Sequence, residues 1–222
     1  MKKPTTFDSE VTANWQEAFR LDYHWGNRVP SIIAATSALG TLNHLTPSGC
    51  YLAKQKLEVQ NSPLLGQKLI LQGDITKKLT SLICRSDVVY LGKNIISLMS
   101  VLIYPQAKSV INNLKPSGSS CFYDECQYWR TFTRDEVNAF ASLSGDTNKI
   151  HTGENPVVQG MLILLALEDY LASKNRFFGN VDVHYLKPVR IENPVKLYEE
   201  EKTLYGIVGD SVCFQLNFKE EK

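Results

Sequence analysis

Asp146 and His151 stand close together in the stretch SLSGDTNKIH, residues 142–151, an acid and an imidazole near enough in sequence to act on one water molecule. An imidazole titrates near neutrality and serves as acid or base, and a carboxylate beside it takes or returns the second proton. The same residue types also spell a turn, because Gly tolerates positive φ and the side chains of Asp and Asn bond to their own backbone. Gly160 adds a third element. At the start of an apolar helix its N–H has no intrahelical partner and lies at the positive end of the helix dipole, where it can donate to an oxygen that gains negative charge. Neither acid–base partner needs a metal, and no cofactor is implied.

The elements that must position these residues fall into two similar series. Residues 30–45, PSIIAATSALGTLNHL, carry Pro30 in a first turn, Ile32, Ile33, Ala35, Leu39 and Leu42 at helical spacing, and Pro47 with Gly49 as a stop. Four β-rich runs follow near residues 51–60, 68–77, 82–91 and 95–104, separated by turn residues. The second series opens on CQYWRTF, then TRDEVNAFASL, in which Thr133 and Glu136 make a capping box, then an apolar helix over residues 156–172. Strands are expected at 180–191, 195–208 and 212–219, with IVGDS as a hairpin turn. LEVQNSPLLGQKLIL and VHYLKPVRIENPVKLY both read strand, Pro, turn, strand, an internal echo that suggests two copies of one fold. The Pro-, Ser- and Asn-rich stretch between them places a boundary near residue 115, dividing the chain into 1–115 and 116–222.

Composition excludes several functions. The formal charge of +1 shows no global bias toward nucleic acid or acidic membrane, and no basic patch asks for RNA or DNA. The N-terminus lacks the apolar core of a signal peptide, which predicts a cytoplasmic protein. The run MLILLAL, residues 161–167, is too short to cross a bilayer. Five scattered cysteines fit reduced thiols, and the spacing of Cys121 and Cys126 lacks the second pair that a zinc site needs. His24 and His44 carry no chemical pattern; strand alternation sets His184 on one face with Asp182, without convergent groups. Trp15, Phe19 and Tyr23 have helical spacing and read as packing.

Taken whole, FTRDEVNAFASLSGDTNKIHTGENPVVQGMLILL, residues 132–165, resembles the hydratase motif of the MaoC-like family of R-specific enoyl-CoA hydratases and dehydratases. Members of that family carry a helix, then Ser-Gly-Asp-x-Asn-Pro-Ile-His, then Gly-Met at the start of the central helix. Gly145, Asp146, Asn148, Ile150, His151 and Gly160-Met161 fall into this pattern. The resemblance reaches VHYLKPV, near residue 188, and the first half shares only its architecture. It implies an α+β double hot-dog: two curved antiparallel sheets, each wrapped around a central helix, with a degenerate first half that shapes the acyl pocket. It also implies Asp146 and His151 as catalytic residues, Gly160, Met161, Asn148 and Ser144 toward the substrate, and an acyl-CoA or acyl-carrier-protein thioester as partner. The chain would be a monomer or a homodimer.

The reaction so implied is reversible hydration of a trans-2-enoyl thioester, or dehydration of the (R)-3-hydroxyacyl thioester. Thioester hydrolysis, common among hot-dog proteins, and non-catalytic acyl-thioester binding are the competing readings. Lys149 stands where the family has Pro, and Gln159 where His precedes the Gly. The bridge from His151 to Gly160, TGENPVV and the two residues that follow it, is shorter than in relatives. Ala34, Ala35, Ala38 and Gly40 of the first helix are expected to leave volume for a medium or longer acyl chain.

Overall fold

A computed structural model describes residues 2–104 and 126–220. The boundary expected near residue 115, and Cys121, lie outside them. Cys50, Cys84 and Cys213 are free thiols.

The first series runs β1 (Lys2–Thr5), α1 (Ser9–Ala18), α2 (Ser31–Gly40), β2 (Tyr51–Val59), β3 (Leu69–Lys77), β4 (Ser81–Tyr90) and β5 (Lys93–Ile103). The second runs β6 (Gln127–Thr131), α3 (Arg134–Ser144), α4 (Gly160–Ala172), β7 (Phe178–Tyr185), β8 (Pro194–Glu200), β9 (Thr203–Val208) and β10 (Ser211–Glu220). Both α2 and α4 are apolar almost all round, as helices buried between layers must be. The Thr133–Glu136 capping box forms, and Gly145 ends α3 in the left-handed region at φ 67°.

Among the described residues, the strands belong to one ten-stranded sheet in the order β1-β3-β4-β5-β2-β7-β10-β9-β8-β6, with antiparallel neighbours throughout. The order within the first half repeats, element for element, within the second. This is the α+β hot-dog architecture, with α2 and α4 as its central helices. Where two sheets were expected, the halves share one, because β2 and β7 pair from Lys54↔His184 to Glu58↔Asn180. Each edge strand thereby satisfies the other's exposed ladder. The apolar side chains of both halves merge into a single core, from Ile32, Ile33 and Leu57 to Leu162, Leu165 and Leu216.

Some boundaries differ from the sequence reading. The strand expected over 180–191 stops at Tyr185, before Pro188, and the run 195–208 is a hairpin whose turn places Glu201 at φ 53°. β1 is an edge strand of four residues with Pro4 inside it, which hides the alternation a longer strand would show. Among the described residues, no helix is long and apolar enough to cross a membrane.

Candidate active site

The turn after α3 is closed by its own side chains and sets Asp146 beside His151. The Asp146 N–H donates to Ala141 O at 3.0 Å, as the αL cap at Gly145 requires. Asp146 Oδ1 accepts from the Asn148 N–H at 2.9 Å, closing a turn. Oδ2 lies 3.4 Å from His151 Nε2. Here the two carboxylate oxygens have different tasks.

His151 is fixed from its other side. Its Nδ1 lies 2.6 Å from the Val157 carbonyl oxygen, which can only accept, so Nδ1 carries the proton. In the neutral ring, Nε2 is then an acceptor, and it faces another acceptor in Asp146. Two acceptors at that separation cannot bond to each other, but both can take hydrogen bonds from one water. The His151 side chain is 9% exposed and that of Asp146 30%. Both line a cavity of about 380 Å³.

The short bridge that supplies Val157 is held by guanidinium groups. Arg134 donates to Gly153 O and Glu154 O, each at 2.6 Å, and Arg190 donates to Asn155 O at 2.5 Å. Val157 N–H bonds back to Ile150 O at 2.9 Å and Val158 N–H to Val189 O at 2.9 Å. The bridge thereby delivers the Val157 carbonyl to His151.

Asn148 was expected to orient the loop or to bond substrate, and the structure commits its amide to the loop. Oδ1 accepts from the Gly49 N–H at 2.8 Å and Nδ2 donates to Cys50 O at 2.7 Å, both in the first half. Asn43 reciprocates, with Nδ2 donating to Ser144 O at 2.9 Å and to Gly145 O at 2.7 Å. Ser144 is likewise engaged, donating its hydroxyl to Phe140 O at 2.6 Å. Both residues line the cavity, but as parts of its frame. Sequence reasoning missed Asn43, whose partners are about a hundred residues away.

Gly160 and Met161 also line the cavity. Among the described residues, no hydrogen bond reaches the N–H groups of either, and Gln159 gives α4 no side-chain cap. The glycine has a packing duty too. A Cβ there would collide with the Leu52 side chain and lie 2.8 Å from Tyr185 Cζ. Tyr185 donates its hydroxyl to Gly160 O or to Gln55 Oε1, both at 2.9 Å. Met161 Sδ, expected to face substrate, lies 2.9 Å from Gln55 Nε2.

The cavity is bounded by both halves: Thr36, Leu39 and Gly40 from α2, Leu52 and Gln55 from β2, and the Asp146–His151 turn opposite. The small residues expected to leave volume divide. Ala34, Ala35 and Ala38 are fully packed in the core and do not reach the cavity, whereas Gly40 does. His184 lies away from it, between Lys54 Nζ at 3.0 Å and Asp182 Oδ1 at 3.3 Å.

No family model matches the sequence, and no curated protein does. Solved structures do match its fold. HtdX from Mycobacterium tuberculosis is similar at a TM-score of 0.78 and 14% identity, over 98% of each chain. A MaoC-like dehydratase from Phytophthora capsici is similar at 0.67 and 10% identity, over 100% of this chain and 96% of that one. A 12:0-ACP thioesterase from Umbellularia californica is similar at 0.61 and 10% identity, over 99% and 96%. Likeness at these identities establishes the hot-dog fold.

Proposed function

We propose that the protein is an (R)-specific enoyl thioester hydratase, or in the reverse direction a 3-hydroxyacyl thioester dehydratase, working on an acyl-CoA or acyl-carrier-protein substrate. The observation that carries this reading is the Asp146 Oδ2–His151 Nε2 pair, 3.4 Å apart in the cavity wall with Nδ1 of the imidazole already committed to Val157. The pair removes a proton from water as its oxygen bonds to C3, and a proton is returned to C2. Negative charge that reaches the thioester oxygen meanwhile is met by the open N–H groups at the start of α4. The stereochemistry and the thioester handle come from the motif resemblance, which the fold likeness to MaoC-like dehydratases supports. In this reading the first half, residues 1–115, carries no catalytic pair and contributes a cavity wall and the Asn43 clamp.

The likeness to an acyl-ACP thioesterase supports a second reading, in which the same water attacks the carbonyl carbon and releases the thiol. One experiment separates the two. Purified protein is incubated with trans-2-enoyl-CoA substrates while conjugated absorbance and free thiol are followed. Hydration removes the absorbance without releasing thiol; thiol release with the double bond intact assigns hydrolysis, and neither change overturns both.

A further inference from the structure

One face of α2 borders the cavity. Thr36, Leu39 and Gly40 stand at positions i, i+3 and i+4 of that helix, and all three line the space. Gly40 marks the end nearest the candidate pair, since an added Cβ there would lie 2.9 Å from Ser144 O, two residues ahead of Asp146. Thr36 is one helical turn, about 6 Å, away from that end.

The hydroxyl of Thr36 differs from its neighbours on the same helix end. Ser37 donates to Ile33 O at 3.0 Å and Thr41 to Ala38 O at 2.7 Å, each turning back on the preceding turn as hydroxyls in helices do. Thr36 is 2% exposed, and among the described residues its Oγ1 has no partner. Gln159, equally buried in the cavity wall, commits its amide N–H to Val137 O at 3.0 Å and leaves Oε1 without a partner among the described residues. Elsewhere in the wall Gln55, Ser100 and Tyr185 bond to one another.

An alkyl chain laid along this face would leave both oxygens dry and unpaired, the unfavourable state of a buried polar group. What completes the wall must bring a hydrogen, because an amide oxygen can only accept. A hydroxyl brings one and can also accept from Thr36; a keto or ether oxygen cannot donate. A carboxylate lacks a cation here, since Lys187, the one lysine among the described residues of the wall, holds its Nζ on Ser211 Oγ at 2.8 Å.

We propose that the cavity selects an acyl chain bearing a hydroxyl several carbons beyond C3, and that Thr36 Oγ1 is the group that recognises it. That the ligand is an acyl thioester rests on the proposed function; the unmet hydrogen bonds in the wall do not.

Binding of saturated acyl-CoA thioesters tests this without turnover. Isothermal titration calorimetry compares chains of roughly six to ten carbons, each with and without a terminal hydroxyl, a range that brackets one helical turn beyond C3. At the matching length the hydroxylated chain should bind about tenfold more tightly than the plain one, and Thr36→Val, which removes the hydroxyl and keeps the branching, should bring that ratio to about one. Thr36→Val should also melt no lower than wild type, because it exchanges an unpaired buried hydroxyl for a methyl group. Equal binding of plain and hydroxylated chains at every length, a preference that survives Thr36→Val, or a clear fall in the melting temperature of that variant each overturns the inference. Binding of none of these thioesters overturns it as well. Hydration of enoyl-CoA, assayed separately, decides the proposed function: activity with no preference for the hydroxyl leaves that reading standing, and a preference without activity leaves this inference standing.

Discussion

Under the proposed hydratase reading, Asp146 and His151 are expected to act as one unit, because Oδ2 and Nε2 lie 3.4 Å apart, where one water can bond to both. Asp146→Asn and His151→Ala should each lower turnover by about two orders of magnitude or more, and the double variant should lose little beyond the worse single one. Steady-state kinetics on an enoyl-CoA checks this, with circular dichroism to show that each variant folds; near wild-type turnover in either would remove the pair from the mechanism. This part of the site was legible because it is local. One turn and one short bridge set the geometry, and Gly145, Asp146, Asn148 and His151 announce it by type and spacing. Gly160 was half legible. Its place at a helix start could be read, but the Leu52 and Tyr185 side chains that exclude a Cβ come from β2 and β7. Adding bulk there costs packing as well as any hydrogen bond to substrate, so Gly160→Val does not isolate the proposed oxyanion donor.

Among elements, helix ends decide what is open and what is closed. The sequence alone gives Glu168 and Asp169 no partner, since nothing nearby announces that α2 will present its free N–H groups to them. Only the packing of one half against the other reveals these partners, and the same holds for Asn43 and for Arg20, which donates to the buried Glu136 at 2.6 Å. Burial pushes the Glu168 carboxyl up to about 7, against the hydrogen bonds from Ser31 and Ile32 that pull it down. The sign follows. Between about pH 4.5 and about 7 the folded chain holds a proton that the unfolded chain has released, so the stability from this group is full below that window and is lost as pH rises through it. The change amounts to on the order of 3 kcal/mol at most. Melting temperatures from about pH 5 to about pH 8 should therefore fall more steeply with pH in wild type than in Glu168→Gln, which cannot titrate there. Parallel curves would show that Glu168 does not change its protonation on folding.

At the scale of the molecule, the internal echo in the sequence suggested two copies of one fold, and the strand order does repeat from β1–β5 to β6–β10, but the echo says nothing of how tightly the two series are joined. Hydrophobic periodicity fixes which face of a strand is buried; it does not say which edge strand will meet which. The join is made at several levels. β2 and β7 complete one sheet, and Ile32, Leu57, Leu162 and Leu216 belong to one core. Asn43 and Asn148 fasten the loops across the seam, and Glu168 and Asp169 take six hydrogen bonds from the first half. Unfolding the first half alone would open the β7 edge and take away the six hydrogen bonds that Glu168 and Asp169 receive, each a net loss of roughly 0.5–1.5 kcal/mol or more. An intermediate with one half folded is thus raised in energy well beyond the loss of shared apolar area. The full chain is expected to unfold in a single transition, with calorimetric and van't Hoff enthalpies equal, despite its two repeats. Weakening the join with Asn43→Ala should lower the melting temperature by roughly 2–4 °C per kcal/mol lost, without splitting the transition. Differential scanning calorimetry decides it: two resolved transitions in the unmodified chain, or a van't Hoff enthalpy near half the calorimetric one, would show that the halves stand by themselves.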